Sequence, residues 1–265
     1  MSAGVAEALK SALERIAAAR HVLVALDFDG TLAPEVDDPL EARALPEAQE
    51  ALMALRALPR TTVALVSGRS LTSLAHVGQL PDDVPLVGSH GLEVLLEQGH
   101  PAPAVDAADR ARVLTLRAAL EPLVQRAEGA WIEDKPAGFA VHTRVVETDA
   151  ALALQHEVRD RALALDPSLT VRDGKNVVEF AVRRATKGDG LVALREHCDA
   201  DAVLFAGDDV TDEDALRVLM PGDVGIKVGR ANSIAEHRVE DPAAMAHVLS
   251  ALVTLRRGVL SETAD

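Results

Sequence analysis

Residues 22–32 read Val-Leu-Val-Ala-Leu-Asp-Phe-Asp-Gly-Thr-Leu. Five apolar residues run straight into two aspartates separated by one residue. An apolar run with no polar alternation is the pattern of a strand buried on both faces of a parallel sheet. Three more such runs end in small or acidic residues: 62–66 before Ser67-Gly68, 203–206 before Gly207-Asp208, and 224–227 before Gly229. Helical spacing fills 45–58, 70–78, 188–197 and 212–220. This alternation predicts right-handed crossovers and an open parallel α/β sheet.

The middle of the chain follows another rhythm. Residues 106–126 place Val113, Leu116, Leu120 and Leu123 at helical spacing. Short strand-like pieces follow at 130–134 and 139–144, joined by a Pro-Ala-Gly turn at 136–138. Residues 149–164 are helical again. Strand-like pieces at 169–172 and 176–182 are joined by Asp173-Gly174, a hairpin signal. The order α-β-β-α-β-β predicts a separate α+β unit with an antiparallel sheet. Residues 1–103 and 184–265 then form a discontinuous core and 104–183 an inserted domain. Residues 99–103 and 183–186 read as the connections, and 261–265 as a frayed tail.

The chain has 265 residues and a formal net charge of −15. Its acidic surface would repel a phosphate backbone and an anionic membrane, so no nucleic-acid or membrane partner is expected. Four Phe, one Trp and no Tyr leave few platforms for stacking bases. An anionic small substrate would need a local cationic pocket. The single cysteine, Cys198, excludes an intrachain disulfide and favours a reducing compartment. The N-terminal stretch lacks the basic start and apolar run of a secretory signal. No run approaches roughly 18 uninterrupted apolar residues, so no membrane span is expected. A cytoplasmic monomer is the default.

Four loops carry candidate chemistry. Asp27 and Asp29 sit where a buried strand ends, the edge at which open α/β sheets bind ligands. Two carboxylates so close repel unless a cation lies between them, and a hard oxygen-binding ion such as Mg²⁺ fits. Alone, this segment would equally make a surface turn. Ser67-Gly68-Arg69 could bind an anion at a helix N-terminus or simply cap the helix. Lys187 opens a helix, where its charge opposes the macrodipole. Asp208, Asp209, Asp212, Glu213 and Asp214 crowd five acids into seven residues. Asp208, nearest the strand, is the first candidate ligand. Asp212 is the next, in the metal shell or orienting Lys187. Glu213 and Asp214 read as first-turn helix acids. There is no dinucleotide fingerprint, Walker loop, His-Glu-x-x-His or nucleophile elbow.

In order and position these loops resemble the motifs of the haloacid dehalogenase-like phosphatase superfamily. The resemblance implies a Rossmann-like core with an inserted α+β cap. It makes Asp27 the nucleophile and Asp29 the general acid/base. Ser67, Gly68, Thr31 and Lys187 would hold the phosphate. Mg²⁺ would be held by Asp27, the Asp29 backbone carbonyl, Asp208 and Asp212.

Further polar clusters lie at 87–93, at 133–135 with 142–144, and at 174–179. They resemble those of trehalose-6-phosphate phosphatases, and that likeness runs from Asp27 to Gly229. It implies hydrolysis of trehalose 6-phosphate, the last step of trehalose biosynthesis, with Glu133, Lys135 and Glu179 on the sugar hydroxyls. Arg69, His90, His142, Arg144 and Asn176 would lie nearby. Glu133 shares a strand face with Lys135, and His142 with Arg144. Thr143 departs from the aromatic residue of many relatives and puts the outer wall of the sugar site in doubt. Without the resemblance, the same residues would make a solvated sheet face with cross-strand charge pairs. Two alternatives stay open: another sugar-phosphate phosphatase (sucrose, mannosylglycerate or hexose phosphate), and a non-catalytic sugar-phosphate sensor. A synthase supplying the substrate would be a separate protein.

Overall fold

A computed structural model describes residues 3–36, 38–96, 107–135 and 137–262. The chain divides into two compact units, Met1–Ala102 with Ala185–Asp265, and Pro103–Arg184. The first begins α1 (Ala3–Ala17), β1 (Val22–Leu26), α2 (Pro46–Arg56), β2 (Thr61–Val66), α3 (Leu71–Gly78), β3 (Leu86–Gly88) and β4 (Glu93–Leu95). The inserted unit is α4 (Ala107–Val124), β5 (Trp131–Lys135), β6 (Gly138–His142), α5 (Thr148–Leu165), β7 (Thr170–Gly174) and β8 (Val177–Ala181). The first unit resumes with α6 (Lys187–Cys198), β9 (Ala202–Gly207), α7 (Asp212–Arg217), β10 (Val224–Val228), β11 (His237–Val239) and α8 (Pro242–Glu262).

The first unit is the open parallel α/β sheet that its apolar runs predict. Its strand order is β11-β10-β9-β1-β2-β3-β4, and only β4 runs antiparallel, against β3. β1 lies in the middle, with Leu26 beside Leu65 of β2 and beside Ala206 of β9. Alternate residues of β1 enter two cores. Val22, Val24 and Leu26 join Ile16, Leu52 and Leu249, while Leu23 and Ala25 join Leu191, Phe205 and Leu216. Full burial of such a side chain stabilises by about 1.5–3 kcal/mol. Both faces therefore fix this strand, and with it the height at which Asp27 leaves the sheet.

Three short strands, β3 and the two edge strands β4 and β11, go beyond the sequence expectation, as does α8. Residues Pro242–Ser261 of α8 have the length and hydropathy of a membrane span. Yet Met245, Leu249, Leu252 and the guanidinium of Arg256 are buried in the protein. Arg256 donates to the carbonyls of Ala17 (2.8 Å), Arg60 (2.9 Å) and Arg20 (3.1 Å), and to that of Ala19. It thereby satisfies carbonyls left over at and after the end of α1, and one just before β2.

The inserted unit is a four-stranded antiparallel sheet in the order β5-β6-β8-β7. α4 packs on β6 and α5 on β8, where Phe139 and Phe180 lie with ring centroids 5.3 Å apart. The hairpin between β7 and β8 differs from expectation. Gly174 pairs with Val177, so the two-residue loop is Lys175-Asn176, not Asp173-Gly174. Asn176 takes the left-handed conformation, φ 60°, which asparagine tolerates well. β6 ends at His142, so Arg144 does not share its strand face; it is exposed in the following turn. Thr143 is buried, donating to the Asn176 carbonyl (3.2 Å) and accepting from the Gln155 amide (2.6 Å). Thr143 is thus an internal tie and not an outer wall. The expected connection 99–103, turn residue Pro136 and residues 263–265 lie outside the described residues, and Ser261 belongs to α8.

Candidate active site

Three neighbouring parallel strands end at one edge of the sheet. β1 delivers Asp27, β2 delivers Ser67, and β9 delivers Asp208. The register that sets Leu26 beside Leu65 and Ala206 puts these residues at similar heights. The Asp27 N–H donates to the Ala206 carbonyl at 3.0 Å, which extends the ladder one step into the loop. Gly30 then turns with φ 75°, and a Cβ there would overlap the Asp208 carboxylate. Only glycine allows the two loops to approach so closely.

Lys187 ties the set together. Its ammonium donates to Asp27 Oδ1 and to Asp212 Oδ1, each at 2.7 Å. All three side chains are almost wholly buried. The unfavourable charge at the start of α6 is thus offset by two carboxylates. The helix itself is stabilised by a capping box between Thr186 and Asp189. Asp212 also accepts from the Asp209 N–H at 2.9 Å, fixing the acidic loop. The Thr31 hydroxyl, fully buried, lies 3.4 Å from Asp27 Oδ2 and 3.5 Å from Asp208 Oδ1.

The charges do not balance. Asp27, Asp208 and Asp212 each offer a carboxylate oxygen, all within 4.8 Å of one another, against one ammonium. Burial would lower the Lys187 pKa, but Asp27 and Asp212 outweigh it and hold the amine firmly protonated. Burial pushes the Asp27 carboxyl well above its usual range despite Lys187. Burial, with Asp212 beside it, pushes Asp208 up to about 6. A surplus of buried hard oxygen donors around one cation is the donor set that a divalent ion would complete.

Asp29 faces elsewhere. Arg69 grips both of its oxygens, Nε to Oδ2 and Nη2 to Oδ1, each at 2.6 Å. The same guanidinium donates to the Pro39 carbonyl (2.7 Å) and lies 5.9 Å from the Phe28 ring centroid. The Asp29 carboxylate is therefore outside the acidic cluster. Ser67 is buried, and its hydroxyl accepts from the Arg69 N–H at 3.2 Å. His90 belongs to this unit as well. Ser89 and His90 both take left-handed conformations, φ 50° and 55°, which cost of order 1–3 kcal/mol each in such residues. That backbone sets the imidazole directly over Gly68, where a Cβ would collide with it.

The inserted unit gathers a second set. Glu133 accepts from Lys135 at 2.6 Å and pairs with His142 Nε2 at 2.8 Å. Glu133 and Glu179 flank Ala140 on the same sheet face. Arg144 and Asn176 are exposed, and neither joins this row. Sequence reasoning missed a buried pair behind the acidic loop. Lys227 donates to the Asp209 carbonyl at 3.1 Å and lies 3.7 Å from Glu213, which accepts from the Ile234 N–H at 2.9 Å. Glu213 is thus the first-turn acid of α7 that its position predicts and, in addition, a buried strut. A lysine inside the apolar strand Val224–Val228 was the available signal.

A parallel sheet with this loop set at its strand ends places the chain in the haloacid dehalogenase-like class. A family model described as trehalose-phosphatase matches residues 25–246, and the chain belongs to that family. A trehalose-phosphate phosphatase of Mycobacterium avium is 35% identical over 214 residues, covering 78% of this chain and 54% of that protein. A bifunctional trehalose-6-phosphate synthase/phosphatase of Thermoproteus tenax is 34% identical over 239 residues, covering 89% of this chain and 32% of that protein. The chain thus spans between a third and about half the length of these relatives. The C-terminal domain of a C. albicans trehalose-6-phosphate phosphatase shares the fold, with TM-score 0.73 and 21% identity over 93% of this chain and 97% of that one.

Proposed function

We propose that this chain hydrolyses trehalose 6-phosphate to trehalose and phosphate through an aspartyl-phosphate intermediate on Asp27, completing trehalose biosynthesis. The observation that carries this reading is the buried bridge from Lys187 to Asp27 and Asp212, set among more carboxylates than one ammonium can neutralise. Family membership supports the substrate.

Asp27 attacks phosphorus. As the new P–O bond forms, the bond from phosphorus to the sugar oxygen breaks, and Asp29 gives that oxygen a proton. Asp29 then takes a proton from the water that attacks the aspartyl phosphate, which releases phosphate and restores Asp27. Lys187, Ser67 and the Gly68 N–H stabilise charge on the phosphoryl oxygens, with Thr31 beside them. Mg²⁺ held by Asp27, Asp208 and Asp212, with the Asp29 carbonyl, would supply Lewis-acid charge to the same oxygens. Both Asp29 oxygens are taken by Arg69, so proton transfer requires Arg69 to release one of them. A phosphate dianion is the natural competitor for that guanidinium. Glu133, Lys135 and Glu179 bind the sugar hydroxyls, with His142 and, more loosely, His90, Arg144 and Asn176 in support.

The half-buried thiol of Cys198, pushed up in pKa by burial, is an inert packing group and suits a cytoplasmic setting. The substrate comes from a synthase; the Thermoproteus relative carries both activities by name. Phosphate release from trehalose 6-phosphate, against glucose 6-phosphate and sucrose 6-phosphate, with and without Mg²⁺, tests the reading. Preferred, Mg²⁺-dependent release from trehalose 6-phosphate is expected. A preference for either competitor would replace the substrate.

A further inference from the structure

The only tryptophan of the chain stands on the polar face of the inserted sheet. Strand pairing fixes that face: Trp131 lies opposite His142, Glu133 opposite Ala140, and Ala140 opposite Glu179. The other face carries Phe139 and Phe180, which are buried. Trp131 is 43% exposed. An indole used as core filler belongs on the apolar side. Here it is parallel to the His142 imidazole, with centroids 4.6 Å apart and planes at 6°. That imidazole is in turn bonded to Glu133, and Glu133 to Lys135. Aromatic ring, imidazole, carboxylate and ammonium thus form one continuous row. Small residues, Gly138 and Ala140, lie beside it on β6.

Such a row matches the two-sided chemistry of a pyranose. Its hydroxyl rim calls for carboxylates and cations in the plane of the ring. Its C–H faces call for a flat apolar surface, which an indole supplies together with a large buried area. Hydrogen bonds gain only modestly over those that water already makes, and the apolar wall adds to that affinity. We propose that Trp131 is a specificity-determining residue whose indole, backed by His142, packs against the C–H face of a sugar ring while Glu133 and Lys135 take its hydroxyls. This rests on the reading that the chain acts on a sugar phosphate, and the test below separates the two.

One tryptophan and no tyrosine make the intrinsic emission a report on this residue alone. The probe is unphosphorylated trehalose, titrated into the metal-loaded protein. A saturable change in tryptophan emission is expected. In kinetics, Trp131→Leu should raise KM for trehalose 6-phosphate about ten-fold while moving kcat far less. Its loss on p-nitrophenyl phosphate, which has no sugar ring, should be much smaller, and Trp131→Phe should recover most of the KM. Circular dichroism verifies that each variant is folded. Equal losses of Trp131→Leu on both substrates, or emission indifferent to trehalose in an active enzyme, overturn the proposal and leave the phosphatase reading intact. Emission that follows protein concentration and ignores sugar would mean that the indole meets a second copy, and likewise overturns it. Emission that saturates with a sugar in a protein unable to hydrolyse trehalose 6-phosphate would uphold the wall and remove the substrate.

Discussion

Each unit of this chain contains a lysine bonded to a carboxylate at nearly the same distance, 2.7 Å for Lys187 with Asp27 and 2.6 Å for Lys135 with Glu133. Water separates them. The first pair is 3% and 5% exposed, the second 22% and 45%. Buried in the sheet edge, a charge pair is costly to desolvate and rigid once made, and its surplus carboxylates call for an ion. On the open face of the inserted sheet, the same chemistry is nearly free and readily exchanges partners. Contact geometry alone would class the two alike, and burial is what separates them: it suits the first pair to the catalytic role proposed for it and the second to recognition.

The largest difference should appear in turnover. Asp27→Asn should lower kcat by roughly 10⁴-fold or more while the protein stays folded. Phosphate release and circular dichroism measure both halves, and residual turnover of even a few per cent would place the nucleophile elsewhere. Stability should separate the lysines next. Lys187→Met should cost about 3–5 kcal/mol in urea unfolding, because it strands buried carboxylates. Lys135→Met should cost within about 1 kcal/mol. Equal costs would erase the distinction drawn here.

Ion dependence should be confined to the first region. With Mg²⁺ at a hundred times its Kd, chelation should remove ~2.7 kcal/mol of stability. Asp208→Asn should lose that response, whereas Glu133→Gln should keep it. Smaller again, Glu179→Ala should weaken kcat/KM for trehalose 6-phosphate about ten-fold more than for p-nitrophenyl phosphate. An equal loss on both would remove Glu179 from the sugar site.

The smallest effect concerns pH. Burial pushes the Glu133 carboxyl up, but Lys135 and His142 outweigh it and hold it below its ordinary value of 4.5. A carboxyl with a depressed folded pKa contributes stability above its unfolded pKa and loses it as pH falls through the folded one. The stability gap between the native chain and Glu133→Gln should therefore be flat from neutral pH down to about 5 and close only in more acidic solution. A gap already closing near pH 6 would mean that Lys135 and His142 do not hold the Glu133 carboxyl below its ordinary value.

What could be read beforehand follows the same division. Residues 22–26 announce a parallel strand because both of its faces are buried, and Asp27 is tied to the end of that strand by one covalent step. Strands β3, β4 and β11 are three residues each, too short for any periodicity to register. The β7–β8 loop slipped by two positions because Asp-Gly and Lys-Asn can both turn a chain, and strand pairing chose between them. Arg144 fell off its expected face because β6 stops at His142. The grip of Arg69 on Asp29 spans 40 residues, and the Lys227–Glu213 strut exists only once both are buried. Where tertiary packing chooses charge partners, the sequence shows at most one member of the pair, as it shows Lys227 inside an apolar strand, and not the partner.

The proposed reaction depends first on covalent phosphorylation of Asp27. Acid quenching of the native enzyme at times within one turnover of ³²P-labelled trehalose 6-phosphate, followed by peptide mapping, addresses it directly. Label that rises before free phosphate accumulates and then decays, on the peptide that contains Asp27, is expected. Phosphate released by the native enzyme, with unlabelled protein at every quench time or with label on another residue, would contradict it.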